Sequence, residues 1–299
     1  MNHLIDYAQC PCCGSDRIAK VLKAEDHTVS HEIFSIWECA ACTLRFTQSV
    51  PDAASIGPYY QSSEYVSHSD TRKGLINTMY HLVRGYTLSG KKSLVTGVVQ
   101  KKEGVLLDVG AGTGAFAKTM QSAGWKVTGL EPDPTARGNA LRQHALELHD
   151  PAQLYTLPQE SFDAITLWHV LEHVHDLQGY FDQFSRLLKK EGKLLIAVPN
   201  YTSYDAQVYG ANWAAYDVPR HLYHFSPESM RRLADSKGFV IGAYKGMWFD
   251  SFYVSLLSEQ YKNGKPNFAA GMLTGLRSNL KATGNPQKCS SVIYVLYRK

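Results

Sequence analysis

Val105-Leu106-Leu107-Asp108-Val109-Gly110-Ala111-Gly112-Thr113-Gly114-Ala115-Phe116 begins as an apolar run and breaks into three alternating glycines. The run suits a buried parallel strand, and Thr113 to Gln121 reads as the opening turns of a helix. Strand, glycine turn and helix together let a ligand approach bare backbone at a helix N-terminus. Taken alone, the turn has two readings. Gly110, Gly112 and Ala115 satisfy the looser dinucleotide fingerprint, and Glu131 lies 21 residues after Gly110, where a ribose-binding acid belongs. Asp108 favours a different ligand. A pyrophosphate would bring negative charge to a turn that already has a carboxylate two residues before its first glycine. A sulfonium cofactor with an amino-acid tail carries no phosphate, and an acid near the turn can help to orient its ammonium.

Asp108-Val109-Gly110-Ala111-Gly112-Thr113-Gly114 resembles the glycine-rich signature of class I S-adenosylmethionine-dependent methyltransferases. The resemblance implies that Asp108, Gly110, Ala111, Gly112 and Gly114 hold the methionine part of that cofactor. Downstream, strand and helix patterns alternate, as in βαβ units of a parallel sheet. Trp125 to Leu130 reads as the second strand, ending at Glu131-Pro132-Asp133. Ligands of doubly wound sheets bind at the carboxyl ends of the strands. Glu131, with Pro132 beside it, is therefore placed to accept hydrogen bonds from two ribose hydroxyls. Ala145 to Leu148 reads as a third strand, and Asp150 beyond it suits either the adenine amino group or a helix cap.

Phe162 to Trp168 reads as the fourth strand and leads into His169-Val170-Leu171-Glu172-His173-Val174-His175-Asp176. This Phe-Asp entry and His-Val-Leu-Glu-His exit resemble the same superfamily, which implies that Trp168 and His169 lie beside the sulfonium and adenosine. His169 and His173 do not match H-E-x-x-H, so no metal pair is expected there. Leu177 to Lys190 reads as an amphipathic helix, and Lys193 to Val198 and Phe239 to Tyr244 as the fifth and sixth strands. A last strand within Lys288 to Lys299 suits the reversed seventh strand of the methyltransferase fold. The expected fold is α/β: a doubly wound, mostly parallel, seven-stranded Rossmann-like sheet.

Between the fifth strand and Pro227, Tyr201, Tyr204, Tyr209, Trp213, Tyr216 and Tyr223 are interleaved with Asp217, Arg220, His221 and His224. A segment leaving that strand should overhang the transferred methyl, where an acceptor must sit. Ser226 and Pro227 are the N-cap and first residue of a following helix. His221-Leu222-Tyr223-His224-Phe225-Ser226 resembles the His-Leu-x-x-Phe-Ser segment of nucleotide-sugar C-methyltransferases, which also carry an N-terminal zinc module. On that match His221 corresponds to their base, a role suited to a side chain that titrates near working pH. His224 and Tyr216 are the further catalytic candidates. The chain departs from those enzymes in ending soon after the methyltransferase core. The His-x-x-x-Phe-Ser pattern also occurs in methyltransferases with other acceptors, so both C- and O-methylation stay open.

Five of six cysteines fall within the first 42 residues. Cys10-x-x-Cys13 and Cys39-x-x-Cys42 are two knuckles 25 residues apart, a pattern that closes a tetrahedral thiolate shell around structural Zn2+ and leaves no open position. Cys12 is not expected to be a ligand. Ile33 to Trp37 has strand character and would form the hairpin that delivers the second knuckle.

Apolar content of 44%, charged content of 19% and a formal charge of +4 over 299 residues fit a globular chain and argue against wholesale disorder. Without a lysine–arginine run, nucleic acid is an unexpected partner. Without a signal-peptide core or a long apolar run, a cytoplasmic protein with no membrane partner is expected. The resulting division is a zinc ribbon (1–50), a connector and helical cap (51–102) and a methyltransferase domain (103–299). The last of these carries an acceptor loop (201–227) and an insertion (247–287) read as one helix and a polar, glycine-containing tail. Its expected partner is a small-molecule acceptor. The rival readings are a nicotinamide-dependent oxidoreductase and a zinc-ribbon binding protein whose methyltransferase fold no longer turns over.

Overall fold

The computed structural model describes residues 3–61 and 75–299, the side chains of residues 75–84 excepted. Of the expected connector and helical cap (51–102), the side chains of Tyr65, Leu75, Ile76, Met79, Tyr80, Leu82 and Val83 lie outside the described residues.

The N-terminal module is built from β1 (Leu4–Ile5), β2 (Ile18–Glu25), β3 (Ile33–Cys39), β4 (Arg45–Gln48) and β5 (Val50–Pro51). β2 and β3 form the hairpin that carries Cys39, with Ile18 opposite it. Asp26 closes the hairpin: its carboxylate accepts from the N–H groups of Thr28, Val29 and Ser30, a local turn that needs an Asx side chain.

α1 (Leu75–Val99) then leads into the central layer of β6 (Val105–Val109), α2 (Ala115–Ser122), β7 (Lys126–Leu130), α3 (Pro134–His144), β8 (Phe162–Trp168), α4 (Leu177–Leu187) and β9 (Leu188–Pro199). The chain finishes with α5 (Tyr204–Tyr209), β10 (Tyr223–His224), α6 (Pro227–Ser236), β11 (Phe239–Gly246), α7 (Asp250–Asn263), α8 (Phe268–Ala282) and β12 (Ser291–Arg298). The main sheet runs β11-β12-β9-β8-β6-β7. β6 to β9 are parallel, and β12 enters antiparallel between β9 and β11, as expected for the reversed last strand. Six of the seven residues of β8 are buried, as expected of a strand covered on both faces, and its two polar residues are partnered: Thr166 donates to Asp108 and Asp163 accepts from the Val105 N–H.

Two expectations change. The third strand is reduced to a single bridge, Leu130 with His149, so the sheet has six strands among the described residues. Ala145 adopts a left-handed conformation (φ 51°) as the C-cap of α3, and the chain reaches the sheet edge only at His149. The tail of the insertion is also a helix. α8 keeps Gly271 and Gly275 in mid-helix because a Cβ there would lie 2.9 Å from Leu256 Cδ2 and 2.9 Å from Phe252 Cα of α7. These glycines permit close helix packing and break nothing.

The ribbon is joined to the acceptor segment as one fabric. β10 is an edge strand of the ribbon's own sheet, ordered β10-β4-β3-β2, with Tyr223 opposite Phe46. At the other end of the hairpin, buried Arg220 donates to Asp26 Oδ1 at 3.0 Å, to Asp217 and to the Tyr59 carbonyl. An arginine taken from water needs such a set of acceptors.

Candidate active site

At the end of β6 the chain turns through Gly110 (φ 71°), Gly112 (φ 56°) and Gly114 (φ 79°). Gly110 is irreplaceable on two counts: a side chain would be strained at this φ, and its Cβ would fall 2.3 Å from Val170 Cγ2. Gly112 shares the left-handed backbone, but nothing lies within 4 Å of where its Cβ would be. The Gly110 and Ala111 amides are tied to the Leu130 carbonyl at 2.7 and 2.9 Å, and Gly114 caps α2. The turn is therefore held from below and open above.

Two acids flank it. Asp108 is fully buried and accepts from Thr166 Oγ1 at 2.7 Å, its direct neighbour in the β6–β8 register. Burial pushes its carboxyl up to about 7, against the pull of Thr166 and Lys91. Glu131 is buried at the end of β7. Its Oε2 accepts from the Gly112 N–H at 2.7 Å and its Oε1 from the Asp133 N–H at 3.0 Å. Burial raises this carboxyl too, and the two amides work against the rise. A carboxylate fixed to the loop by two amides keeps lone pairs for a diol. Pro132 follows it and gives its carbonyl to Arg137. Asp150 caps a short 3-10 turn through the Ala152 N–H at 2.9 Å and lies 3.7 Å from Arg137 Nη1; of the two roles open to it, the cap is the one observed.

Trp168 closes the end of β8, edge-on to Phe116 with ring centroids 5.4 Å apart. Its buried indole N–H has no hydrogen-bond partner. Lys91, from α1, lies 4.5 Å over the Trp168 ring. Burial lowers this ammonium while Asp108 and Asp250 raise it. His169 takes a positive φ of 58°, which aims its ring between Asp250 Oδ2 (3.0 Å from Nε2) and Glu172 Oε1 (3.4 Å from Nδ1). Burial alone would lower it, but the two carboxylates hold it up to about 10. Lys91 and Asp250 have no sequence signature: one lies on the connector helix, the other on the insertion.

From His169 a buried polar chain leads to the acceptor segment. Glu172 is fully buried, and neither carboxylate oxygen has a hydrogen-bond partner. Glu172, His173 and His221 bring one ligating atom each within 4.8 Å of one another, and the two imidazoles meet edge-to-face at 4.5 Å. His221 Nδ1 is 2.8 Å from the Ala215 carbonyl. A carbonyl can only accept, so Nδ1 carries a proton, and Nε2 lies 3.8 Å from Asp217 Oδ2. His173 is fixed the same way, with Nδ1 3.0 Å from the Arg220 carbonyl, and burial holds it down to about 4.

The other two catalytic candidates are placed differently. Thr47 donates to the His221 carbonyl at 2.7 Å and lies 3.1 Å from His224 Nε2, so His224 must donate through Nε2. Burial depresses His224 far below its ordinary range. Tyr216 accepts from Arg45 Nη1 at 2.8 Å and packs on His224 and Trp213. Both are buried seams between loop and ribbon. The structure brings His221, not these two, to the histidine–glutamate cluster.

The ribbon's four thiols converge. Cys10 and Cys42 sulfurs are 3.5 Å apart and those of Cys13 and Cys39 3.6 Å, all four within 4.8 Å. A tetrahedron of about 2.3 Å Zn–S bonds has edges of about 3.8 Å, so the set fits zinc. Cys12 turns away and points its thiol at the Ser229 carbonyl of α6, in keeping with its expected exclusion from the shell.

A profile of the methyltransferase-domain family matches residues 85–243, just over half of the chain. The chain belongs to that family. Among curated relatives, the ubiquinone biosynthesis O-methyltransferase of Rhodopseudomonas palustris (strain BisB5) is 25% identical over 156 residues, covering 48% of this chain and 62% of that protein. The enzyme of the same name from Xanthomonas oryzae pv. oryzae (strain PXO99A) is 33% identical over 130 residues, 40% of this chain and 54% of the other. The chain thus spans about three fifths or less of the length of these two relatives. A crystal structure of geranyl diphosphate C-methyltransferase from Streptomyces coelicolor A3(2) shares the fold, with TM-score 0.52, 15% identity, and coverage of 78% of this chain and 88% of that one. The β-sheet order and glycine turn are those of the class I, S-adenosylmethionine-dependent methyltransferase fold.

Proposed function

We propose that the chain transfers a methyl group from S-adenosylmethionine to an oxygen or acidic carbon of a small-molecule acceptor, with His221 as general base. The observation that carries this reading is the pairing of a cofactor cradle with a base of fixed tautomer. Glu131 is pinned to Gly112 by its own loop amide, and His221 has its Nδ1 proton committed to Ala215.

Bound S-adenosylmethionine supplies an electrophilic methyl on sulfur. Asp108, Gly110, Ala111, Gly112 and Gly114 would receive its amino-acid end, Glu131 and Pro132 its ribose, and Trp168 and His169 the side that faces the acceptor. Displacement is in line, so alignment of donor and nucleophile supplies much of the rate. His221 Nε2 would take the proton that the acceptor atom gives up on receiving the methyl group, with S-adenosylhomocysteine as the other product. Cys10, Cys13, Cys39 and Cys42 would hold a structural zinc ion. It would stiffen the ribbon whose sheet includes β10, and so fix the segment bearing His221.

The O-methyltransferases among the relatives support an oxygen acceptor, and the His-Leu-x-x-Phe-Ser segment supports a nucleotide-linked sugar with carbon or oxygen methylation. S-adenosylmethionine labelled on the methyl, incubated with the protein and a fractionated bacterial lysate, tests the reading. Label should enter the small-molecule fraction. His221→Ala should lower turnover by roughly 100-fold or more, the usual scale of general-base catalysis, and leave S-adenosylhomocysteine binding near normal. Unchanged turnover in His221→Ala removes that residue from the mechanism.

A further inference from the structure

α8 is built inside out. Its buried face is Gly271, Gly275, Ser278 and Ala282, small residues that let it lie tightly on α7. Its large apolar residues point to solvent: Phe268 is 69% exposed, Leu273 47%, Leu276 48% and Leu280 64%, with Met272 among them. Phe268, Met272, Leu276 and Leu280 are four residues apart, so they form one continuous stripe along about 18 Å of helix. An amphipathic helix in a globular core does the opposite, and an exposed apolar ridge of this length marks an interaction surface.

Charge selects the partner. From Gln260 to Ser290 the sequence has Lys262, Lys265, Arg277, Lys281 and Lys288 and no aspartate or glutamate, although acids and bases nearly balance over the whole chain. All five bases are exposed. Arg277 and Lys281 follow Leu276 and Leu280 by one residue and border the stripe along one side; Lys281 also lies 5.2 Å from the Tyr204 ring centroid. A second copy of the chain would bring an identical cationic border against this one. An anionic bilayer surface neutralises it and takes up a convex apolar ridge without needing a matching groove. No helix among the described residues is long and apolar enough to cross a membrane. That bears on spanning alone, whereas a helix lying in the headgroup region needs only one apolar side and a basic flank.

We propose that α8 docks on anionic lipid headgroups, burying the Phe268–Leu280 stripe at the membrane surface. The same helical hairpin carries Asp250, the residue that grips His169, so docking would set the candidate active site close to the lipid. The inference stands apart from the identity of the methyl acceptor. Co-sedimentation of the full chain with phosphatidylcholine vesicles, with and without phosphatidylglycerol, tests it. The wild type should pellet with the anionic vesicles at least about tenfold more than with neutral ones, each nearby base adding to the attraction. Leu273→Asp/Leu276→Asp should abolish pelleting with unchanged circular dichroism, and Arg277→Glu should weaken it. Failure to pellet, or equal pelleting on neutral vesicles, overturns the proposal. A wild-type dimer in light scattering that becomes monomeric in Leu273→Asp/Leu276→Asp also overturns it, because the stripe would then belong to a second copy.

Discussion

The two halves of the candidate site are made in different ways. The glycine turn and ribose acid of the cofactor half lie within 27 consecutive residues, Val105 to Glu131, and hold one another: glycine amides bond the Leu130 carbonyl, and Glu131 the Gly112 N–H. The acceptor half is assembled from distant chain. His221 is held by Ala215, its carbonyl by Thr47 of the ribbon, and the preceding Arg220 by Asp26, 194 residues away in sequence. A local motif can form its site whenever its strand and helix form. An assembled site depends on every element that crosses it, and here one of those elements is the ribbon that gathers the four thiols.

The sharpest way to break this contrast is to remove the ribbon's thiolates. Cys39→Ser/Cys42→Ser should abolish zinc content and, because a closed thiolate site contributes directly to folding, lower the melting temperature by about 10 °C or more. Turnover should be lost while S-adenosylhomocysteine still binds within about threefold of wild type, the chain being folded at the assay temperature. A parallel loss of cofactor affinity in calorimetry would show that the halves are not separable.

Within the cofactor half, two glycines sharpen the distinction between fold and ligand. Gly110→Ala meets Val170 and should destabilise the protein by roughly 3 kcal/mol, from strain and overpacking together. Gly112→Ala meets only open space and should cost about 1 kcal/mol through its φ alone, yet weaken cofactor binding because the added methyl enters the space above the turn. Melting curves and calorimetry on both variants separate these outcomes; equal destabilisation would contradict the geometry.

The smallest effect concerns the opposite end of the sheet. Burial alone would raise Asp163, but Lys101, Lys189 and the Val105 N–H bring it down to about 2. A carboxyl lowered in the folded state stabilises above its unfolded value near 4, and this stability is lost as pH falls towards 2. Both lysines are substantially exposed, so screening leaves about 1 kcal/mol. Asp163→Asn should flatten the pH dependence of denaturant midpoints between about pH 4 and 2 and change nothing in cofactor binding. An unchanged acid slope would remove Asp163 from this account.

What could be read beforehand follows the same division. The glycine turn, Glu131 and the reversed last strand are legible because each rests on a short pattern with one geometric meaning. The four cysteines are legible because metal spacing tolerates a long hairpin between knuckles. Gly271 and Gly275 mislead: a glycine that ends a helix and one that lets two helices touch are identical in sequence, and only the partner, α7, tells them apart. His149 reaches the sheet edge through a single bridge, too little pairing for strand propensity to anticipate. Tyr216 and His224 have the chemistry of catalytic residues, but their partners Arg45 and Thr47 lie more than 170 residues away. Lys91 and Asp250 act through position alone, which no local pattern encodes.

The most direct test of the central claim is calorimetric titration of the zinc-loaded chain with S-adenosylhomocysteine and, separately, with NAD, repeated on Glu131→Ala. The account predicts one S-adenosylhomocysteine site per chain and no comparable binding of NAD. Glu131→Ala should lower the affinity by about 100-fold, the scale of losing charged hydrogen bonds to two hydroxyls. Preferential binding of NAD, or an affinity for S-adenosylhomocysteine that Glu131→Ala leaves untouched, would contradict it.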